Sequence, residues 1–403
     1  MASEYALRAT TELILQPFGV FASDMQLRRY DVFNSVAGGL LLALRRPTTR
    51  EGFLGWAAER GQAPDTVERF WDEMCARGFL AHAGHGDQSC QISFAEPRDR
   101  RILKAVRGDF EITNRCNLRC SYCYAEANTS RSELSTEQWV DILEGMHRHG
   151  LRAALFSGGE PFLHRGFMEI VQWSADRFVI EINTNGTRIT PGVAEALSRI
   201  PIKLVQVSLD SVAEHYHDSV RGQGSHAKAL VGIRNLVNSG VSVQISTVIT
   251  QSNRAELPEL AQLADQLGVA FKADPVVKAG YALEISEEAW GSGFELRDRL
   301  RVASSSIAEQ SGFEPLCQSQ MGYVAVSHQG VLKPCNMRER FFDATDGILI
   351  HTGAEHWWNS FYGETRLAHL ATAASQRGSA GVADIGHGCR LQDVVAAGVA
   401  PRD

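Results

Sequence analysis

One short segment, Cys116-Asn-Leu-Arg-Cys120-Ser-Tyr-Cys123, restricts what this chain can form more than any other. Its cysteines, Cys116, Cys120 and Cys123, have three and then two residues between them, so one tight loop can turn all three sulfurs inward. Thiolates are the ligands that iron–sulfur clusters prefer, and three of them on a four-iron cubane leave one iron open to a small chelating molecule. The alternative is a structural zinc knuckle. Zinc needs a fourth ligand at short range, and neither Asn117 nor Tyr124 is a plausible one.

The composition is typical of a globular chain with material for two or three domains: 403 residues, 44% hydrophobic and 22% charged. A net charge of −7 argues against nucleic acid or an anionic membrane as the main partner. No apolar run approaches the ~20 residues that span a bilayer, and the first residues lack the pattern of a signal peptide. We therefore expect a cytoplasmic protein whose eight cysteines are thiols or cluster ligands rather than disulfides.

Residues 1–95 read as a separate α+β unit. Three strand-like runs come first, rich in β-branched and aromatic residues, namely Glu12–Pro17, Gly19–Ser23 and Arg29–Phe33. Three helical stretches follow, Ser35–Arg45, Thr48–Arg60 and Asp65–Arg77, of which the second is predicted to begin with a capping box from Thr48 to Glu51. A DNA-binding winged helix is one interpretation, but the third helix is acid-rich where a recognition helix would be basic. Residues 96–106 are a predicted linker.

From 107 to 285 the chain alternates strands and amphipathic helices. The predicted strands are Gly108–Thr113, Ala153–Ser157, Phe178–Asn183, Leu204–Leu209, Ser242–Thr250 and Val269–Lys272. The predicted helices are Thr136–His147 (capped by Ser135), Arg165–Asp176, Pro191–Ser198, Ala227–Ser239 and Leu257–Leu267. Six such repeats with nearly continuous apolar strands predict an α/β fold, a partial (β/α)6 barrel that binds its ligands at the carboxyl ends of the strands.

Polar turns stand at those predicted strand ends. The second strand ends in Ser157-Gly158-Gly159-Glu160-Pro161, where two glycines allow a close backbone approach and a carboxylate could hold an ammonium group. The third ends near Asn185 and the fourth at Ser208-Leu-Asp210, with Arg221 thirteen residues beyond Ser208. Arg221 is a candidate ligand-binding residue, and the alternative is an ordinary arginine on the surface. Nearby histidines, at positions 215, 217 and 226, show no metal-ligand spacing, and we expect them to be solvated loop residues.

The last quarter carries three more cysteines. One long helix is predicted over 286–312, followed by Cys317, a strand over Tyr323–Ser327, a turn at His328-Gln-Gly330 and a second strand into Cys335. One further cysteine, Cys389, stands in Gly386-His-Gly-Cys389. Three thiolates would suffice for a second cluster with an open iron or a ligand such as His387 or Asp393. The alternative is that these cysteines are remnants and no second cluster forms.

The central motif resembles the signature of the radical S-adenosylmethionine (SAM) superfamily. The resemblance implies a [4Fe-4S] cluster on Cys116, Cys120 and Cys123, with SAM bound through its methionine amino and carboxylate groups to the open iron. It implies that Tyr122 lies against the adenine. Gly158, Gly159, Glu160 and Pro161 match the methionine-binding motif of the superfamily, and Ser208 and Asp210 its ribose- and methionine-contacting strand end. Asn185 belongs to the same rim, and Arg221 would pair with the methionine carboxylate.

The two flanks resemble modules that accompany such enzymes. Residues 1–95 resemble the PqqD-like peptide-recognition domain, in which a leader peptide would add as a strand beside Arg29–Phe33 and rest on the third helix. Residues 313–403 resemble a twitch or SPASM auxiliary-cluster domain with Cys317, Cys335 and Cys389 as ligands. The usual downstream Cys-x2-Cys pair is absent, because Gly386 and Gln392 stand at the positions three away from Cys389.

Together these resemblances imply an oxidoreductase that modifies a ribosomally made precursor peptide. A 5′-deoxyadenosyl radical would abstract a side-chain hydrogen, and an intramolecular carbon–carbon, thioether or ether cross-link would form. The cluster would receive its electron from a donor such as flavodoxin or ferredoxin. Peptide epimerisation, a radical enzyme of small molecules or tetrapyrroles, and a peptide-binding scaffold without catalysis are the alternatives. The intact cysteine loop argues against the last of these.

Overall fold

The computed structural model describes residues 3–16, 19–83, 90–94, 105–130, 132–276, 280–284 and 323–333. These residues fall into two compact units, one up to residue 94 and one from residue 105. The predicted helix over 286–312, most of the linker and most of the predicted region 313–403 lie outside the described residues. The domain boundaries therefore stay a prediction. None of the described helices combines the length and apolar character that a membrane-spanning helix requires.

The first unit combines a small sheet with three helices. Its strands are β1 Tyr5–Leu7, β2 Thr11–Gln16, β3 Gly19–Asp24, β4 Arg29–Asn34, β5 Leu80–His82 and β6 Gln91–Phe94. Its helices are α1 Ser35–Ala43, α2 Arg50–Ala58 and α3 Pro64–Ala76. Strands β2, β3 and β4 form an antiparallel meander, β6 lies parallel to β2, and β1 pairs with β5. The three strands of the meander and the three helices were predicted, whereas β1, β5 and β6 were not.

An apolar core joins one face of this sheet to the helices. Phe33 of β4 meets Phe70 of α3 and Phe79 edge-to-face, with ring centroids 6.3 Å apart in both pairs. On α3, residues Val67, Phe70, Trp71 and Met74 are buried, as their helical spacing predicted. Burial of a single large side chain of this kind contributes about 1.5–3 kcal/mol, so this stripe holds α3 against the sheet.

The predicted capping box at Thr48 is wrong. Helix α2 begins at Arg50, and the hydroxyl of Thr49, not Thr48, accepts the N–H of Gly52 at 3.0 Å. Thr48 instead pairs with Tyr5 through two main-chain hydrogen bonds of 2.8 and 3.0 Å. Because that bridge fixes Thr48 in an extended conformation, the following threonine becomes the cap.

The second unit is built on a sheet of six parallel strands in chain order. They are β7 Arg107–Thr113, β8 Ala153–Gly158, β9 Val179–Thr184, β10 Ile202–Ser208, β11 Val243–Ile249 and β12 Ala270–Pro275. The helices between them are α4 Thr136–Arg148, α5 Phe167–Ser174, α6 Pro191–Ser198, α7 Glu214–Arg221, α8 Ser225–Asn238 and α9 Leu257–Leu267. Short 3-10 turns occupy Pro161–Leu163, Arg254–Glu256 and Gly280–Glu284. The predicted α/β class with a parallel sheet is confirmed; its curvature into a partial barrel stays a prediction.

All helices of this unit belong on one face of the sheet. Right-handed crossovers between strands that follow one another in order place every helix on the same side. Phe110 of β7 accordingly meets Trp139 of α4, and Phe156 of β8 meets Phe167 of α5, each pair edge-to-face. The opposite face, called the inner face here, carries the alternate residues of every strand. Ser135 caps α4, as predicted, and the structure adds a full capping box with Gln138.

A hairpin extends the sheet beyond β7. Strand β13, Tyr323–Val326, lies parallel to β7, and β14, Leu332–Lys333, returns antiparallel to it. Two buried polar contacts attach this hairpin to the inner face of β7. The hydroxyl of Tyr323 donates to Asp109, and the ammonium of Lys333 lies 2.8 Å from the carboxylate of Glu111. The hairpin is therefore joined to the sheet by side chains as well as by its backbone ladder.

We expect Asp109→Asn to flatten the pH dependence of stability. Burial, reinforced by Glu181 and Glu111 and opposed by Arg107 and Lys272, raises the pKa of Asp109 from 3.8 to about 7. Between those values the unfolded chain has lost the proton that the folded chain keeps, so this residue's contribution to stability falls as the pH rises. Near pH 4 the variant should match the wild type. At pH 8 it should be the more stable, by at most about 4 kcal/mol.

Urea unfolding of the cluster-free chain at both pH values measures this difference. Asp176→Asn, at an exposed aspartate of the same unit, is the matched control and should leave the pH profile unchanged. A profile for Asp109→Asn that runs parallel to that of the wild type from pH 4 to 8 would contradict the assignment.

Candidate functional site

The three cysteines of the central motif lie on one loop that follows β7. Their thiols are free and half-buried. The amide of Cys116 donates to the Oδ1 of Asn128 at 2.9 Å, and the amide of Leu118 donates back to the sulfur of Cys116 at 3.4 Å. The amide of Cys123 donates to the carbonyl of Cys120 at 3.2 Å. These local bonds fold the segment into a compact turn at the carboxyl end of the first parallel strand.

The glycine pair at the end of β8 holds the start of this loop in place. The amide of Gly159 donates to the carbonyl of Thr113 at 2.7 Å, and the amide of Glu160 donates to that of Arg115 at 2.8 Å. A Cβ on Gly158, whose φ is +129°, would overlap the Thr113 carbonyl oxygen. One on Gly159 would overlap the Arg115 carbonyl oxygen and lie 2.8 Å from that of Asn114. Both glycines are thus required by contact with the backbone immediately before Cys116.

Glu160 is fully buried and joins the ends of β8 and β9. Its carboxylate accepts the hydroxyl of Thr184 and the amide of Asn185, both at 2.8 Å, while Pro161 begins the 3-10 turn beside it. Burial raises the pKa of Glu160 to about 7 in spite of these bonds. The contact of Glu160 with an ammonium group stays a prediction. If an ammonium group binds there, it meets a carboxylate that Thr184 and Asn185 already hold in one orientation.

Asn185 connects the end of β9 to the cysteine loop. Its Nδ2 donates to the Oδ1 of Asn117 at 3.1 Å and points to the sulfur of Cys116 at 3.8 Å. Its Oδ1 accepts the amide and the hydroxyl of Thr187, at 3.0 and 2.7 Å, which fixes the orientation of the carboxamide. The structure therefore brings the predicted residue Asn185 within reach of one cluster-candidate sulfur.

Asp210 and Arg221 form a buried ion pair on the other side of the loop. The Nε and Nη2 of Arg221 donate to the two carboxylate oxygens of Asp210 at 2.5 and 3.1 Å. The hydroxyl of Tyr122 also donates to Asp210, and the amide of Val248 does so at 2.9 Å. Burial alone would raise the pKa of Asp210, but the Arg221 guanidinium and these hydrogen bonds outweigh it and lower the pKa. Arg221 is not the surface residue of the alternative interpretation.

The ion pair of Asp210 and Arg221 lies next to Cys120, the second cysteine of the motif. The remaining terminal nitrogen of Arg221, Nη1, lies 3.9 Å from the sulfur of Cys120, and the guanidinium lies 5.5 Å from the centre of the Tyr122 ring. Tyr122 is buried against Val276 and Ala282. Ser208, also predicted at this edge, is half-buried at the end of β10 beside Ser246 of β11. The contacts predicted for Tyr122 with adenine, and for Arg221 with a methionine carboxylate, stay predictions.

Two histidines depart from the sequence-based expectation. His217 and His226 were predicted to be solvated, but only 1% and 8% of their surfaces are exposed. The Nδ1 of His217 accepts the amide of Asp210 at 3.1 Å, and burial lowers the pKa of His217 to about 4, so the ring is neutral at pH 7. His217 therefore helps to fix Asp210, whereas His215 is exposed as predicted.

Some contributors to the site were missed by the sequence reasoning. Asn253 donates from its Nδ2 to the carbonyl of Asp210 at 2.8 Å. Glu133 accepts the hydroxyl of Thr113 at 2.5 Å and pairs with Arg115 at 2.7 Å, just before the cysteine loop. None of these residues lies in a recognisable motif, because their roles come from contacts across the fold. Cys317, Cys335 and Cys389 lie outside the described residues.

The donor set of the loop fits an iron–sulfur cluster. N–H groups of Asn185 and Arg221 point at two of the three sulfurs, and such donors stabilise the anionic sulfurs of a bound cluster. Burial raises the pKa of Cys116 to about 12 and also raises that of Cys120, so these two thiols stay protonated in the cluster-free chain. Within the described parts of the chain, no three His, Cys, Asp or Glu side chains surround the position of a single ion. A cubane takes each thiolate on a different iron and does not require such convergence.

Comparison with known proteins agrees with this geometry. Residues 110–264, which include the cysteine loop and the strand ends around it, match the family model described as the Radical SAM superfamily. The match covers 155 of the 403 residues. Mycofactocin maturase MftC of Mycobacterium ulcerans is 34% identical over 182 residues, which are 44% of this chain and 49% of that protein. Sporulation killing factor maturation protein SkfB of Bacillus subtilis is 29% identical over 248 residues, 57% of this chain and 60% of that protein.

The chain spans about half the length of the curated relatives it matches first. Among solved structures, Streptococcus suis SuiB bound to its precursor peptide SuiA superposes with a TM-score of 0.58. That superposition covers 90% of this chain and 91% of the other, with 11% sequence identity. At this identity the likeness concerns the fold alone.

Gly159→Ala should displace the start of the cysteine loop. The new methyl group would meet main-chain atoms that cannot rotate away, and overpacking of this kind costs about 1–3 kcal/mol. We expect a lower urea midpoint and less iron bound after anaerobic reconstitution. Gly192→Ala is the matched control, because a Cβ at that helical position has open space around it. Equal behaviour of the two variants would contradict this role of Gly159.

Asp210→Asn should destabilise the second unit strongly. The substitution leaves the Arg221 charge buried without its carboxylate, which typically costs about 3–5 kcal/mol. Urea unfolding of the cluster-free chain measures the loss. Glu195→Gln removes one carboxylate from the exposed pair with Arg199 and should change stability little. If Asp210→Asn unfolds at the same urea concentration as Glu195→Gln, the buried pair is not the anchor described here.

Proposed function

We propose that this protein is a radical SAM enzyme that modifies a ribosomally synthesised precursor peptide. The observation that carries the proposal is the placement of Cys116, Cys120 and Cys123 on one loop at the carboxyl edge of a parallel sheet, with N–H donors from Asn185 and Arg221 at two of the sulfurs. Likeness to peptide maturases in sequence and in fold supports the choice of a peptide as substrate.

In this proposal Cys116, Cys120 and Cys123 hold a [4Fe-4S] cluster, and the rim around them holds SAM. The bound and reduced cluster with SAM supplies a 5′-deoxyadenosyl radical, which can abstract hydrogen from an unactivated carbon. Asn185 and Arg221 orient and stabilise the thiolates, and Asp210 fixes Arg221 through two hydrogen bonds. Gly158, Gly159, Glu160, Pro161, Ser208 and Tyr122 are proposed to line the SAM site, as the superfamily motif implies.

The first unit is proposed to recognise the leader of the precursor. Strand β4 stands at one end of the sheet order β4-β3-β2-β6, so its outer backbone groups can accept another strand. Arg77, at the end of α3, pairs with Asp31 of β4 at 2.6 Å and also with Glu73. Strand and helix are thereby held together as the two walls against which an added peptide strand would lie.

An intramolecular cross-link is the proposed product. Such a reaction removes two hydrogens from the peptide, of which one leaves as a hydrogen atom and the other as a proton and an electron. An electron acceptor is therefore required, and we propose an auxiliary [4Fe-4S] cluster on Cys317, Cys335 and Cys389. Flavodoxin or ferredoxin is the proposed electron donor for the first cluster.

A tetrapyrrole substrate agrees less well with the charges on the inner face. The carboxylate side chains of a tetrapyrrole call for uncompensated cations, which attract them. Lysines 333, 203 and 272 each have a carboxylate partner there, Glu111, Glu181 and Asp274, at 2.8, 2.7 and 2.6 Å. At each of these lysines, a substrate carboxylate would have to compete with the carboxylate that is already paired.

The test uses the reconstituted full chain and the peptides encoded by short reading frames beside its gene. We expect about eight irons per chain, SAM cleavage to 5′-deoxyadenosine under reduction, and a peptide product lighter by two hydrogens. The triple variant Cys116→Ala, Cys120→Ala, Cys123→Ala should keep about four irons and form no 5′-deoxyadenosine. Continued cleavage by that variant would show that the loop has been misassigned.

A second arm examines leader recognition. Proline at Tyr30 or Val32 removes a strand N–H. Because residues two apart in a strand present their N–H groups to the same edge, both substitutions should block peptide modification while peptide-independent 5′-deoxyadenosine formation continues. Full modification by both proline variants would count against β4 as the docking strand.

An iron content near four in the wild type would rule out the auxiliary cluster and leave the cluster on the cysteine loop in place.

A further inference from the structure

Polar side chains occupy the middle of the inner face of the sheet. Along β11, Val243, Ile245, Thr247 and Ile249 are buried on the helix side, whereas the alternate residues Gln244, Ser246 and Val248 are half-buried. Strand β10 repeats the pattern with half-buried Gln206 and Ser208. Closed barrels fill their interior with packed, branched apolar side chains. Half-buried polar side chains here indicate a face made to meet a polar ligand.

Three carboxamides form a continuous row across this face. Gln206 of β10 is in register with Asn183 of β9 on one side and with Gln244 of β11 on the other. Residues in register on neighbouring strands point to the same face, so these side chains are adjacent. We call Asn183, Gln206 and Gln244 the carboxamide row.

One end of the row carries a buried polar atom without a partner. The Oδ1 of Asn183 is buried and has no hydrogen-bond partner among the described residues. Ser157 directly follows Phe156, which is in register with Ile182, so Ser157 lies beside Asn183; its own side chain interacts with Tyr124. A buried acceptor left without a donor costs about 1–3 kcal/mol, so the Oδ1 of Asn183 is expected to have a ligand as partner.

The charges next to the row are already compensated. Glu111, in register with Ser157, pairs with Lys333 at 2.8 Å. One layer below, Glu181 pairs with Lys203 at 2.7 Å and with Arg107 at 3.2 Å. The row therefore offers neutral donors and acceptors between balanced charges, which suits an uncharged ligand rich in amides better than an anion or a cation.

The spacing of the row matches an extended peptide. Neighbouring strands lie about 4.8 Å apart, so the row spans about 10 Å, the length of about three residues of extended chain. Each carboxamide has a donor and an acceptor, as each peptide unit does. Asn185, which points to the sulfur of Cys116, stands two residues beyond Asn183, about 6.6 Å along the strand. A chain on the row would lie just below the cysteine loop.

We propose that the carboxamide row binds the main chain of about three residues of the peptide substrate and so positions the target residue by its backbone rather than by its side chain. This inference rests on the proposed function, because the substrate is taken to be a peptide. It assigns a specificity that the superfamily motifs do not contain, since recognition through amides leaves the identity of the modified side chain open.

The probe is a capped tripeptide, N-acetyl-trialanine methylamide, compared with the same molecule methylated at the central amide nitrogen. Both are titrated against the reconstituted full chain with SAM by equilibrium dialysis. The wild type should bind the unmethylated probe more tightly, by about 2- to 12-fold for each hydrogen bond lost. Gln206→Met keeps the volume but removes the amide, so it should weaken binding by a similar factor and reduce the discrimination between the probes.

Gln262→Met is the matched control, because Gln262 is exposed on α9. This variant should bind both probes as the wild type does. Gln244→Met supplies a second variant of the row if Gln206→Met does not fold. Equal affinity of the wild type for the two probes, no binding of either probe, or unchanged binding in a folded row variant would each overturn the proposal. Formation of 5′-deoxyadenosine by the wild type is measured in parallel. Its presence without probe binding rejects the row alone, and its absence rejects the proposed radical function.

Discussion

The candidate site depends on one buried carboxylate. Asp210 accepts hydrogen bonds from Arg221, Tyr122 and the amide of Val248, and its own main chain is held by His217 and Asn253. These partners come from the cysteine loop, from α7, from the end of β11 and from the turn that follows it. A buried charge without such partners would cost several kcal/mol, so the elements that supply them cannot move apart independently. Electrostatic compensation thus fixes the frame around the loop.

The other half of the frame uses main-chain contact instead of charge. Gly158 and Gly159 bring the end of β8 against the backbone that precedes Cys116, and Glu160 ties the same turn to Thr184 and Asn185 of the next strand end. Residues assigned to ligand binding by their motif therefore also hold one another. The two roles are compatible, because a carboxylate or guanidinium ordered in advance loses less conformational freedom when a ligand arrives.

Periodicity in the sequence was sufficient for most of the longer elements, although helix α7, Glu214–Arg221, was expected to be a loop. Buried strands such as Val179–Thr184 and capped helices such as Thr136–Arg148 carry enough residues for a pattern to emerge. The three-residue strands β1 and β5 do not, since their formation depends on pairing between segments far apart in the chain. A separate long-range contact, the bridge between Tyr5 and Thr48, makes Thr49 rather than Thr48 the cap of α2. The cysteine spacing and the Gly-Gly-Glu-Pro turn were visible in the sequence, whereas the pairing of Arg221 with Asp210 required the fold.

Register is the information that a single sequence lacks most. Asn183, Gln206 and Gln244 are 23 and 38 residues apart along the chain, and each alone reads as an ordinary polar residue in a strand. A shift of one residue in any of the three strands would turn its carboxamide towards the helices. The buried alternation of Val205 and Val207 with Gln206 prevents that shift, because it would place polar groups in an apolar layer. The same apolar residues that hold the helices on one face therefore align the amides on the other.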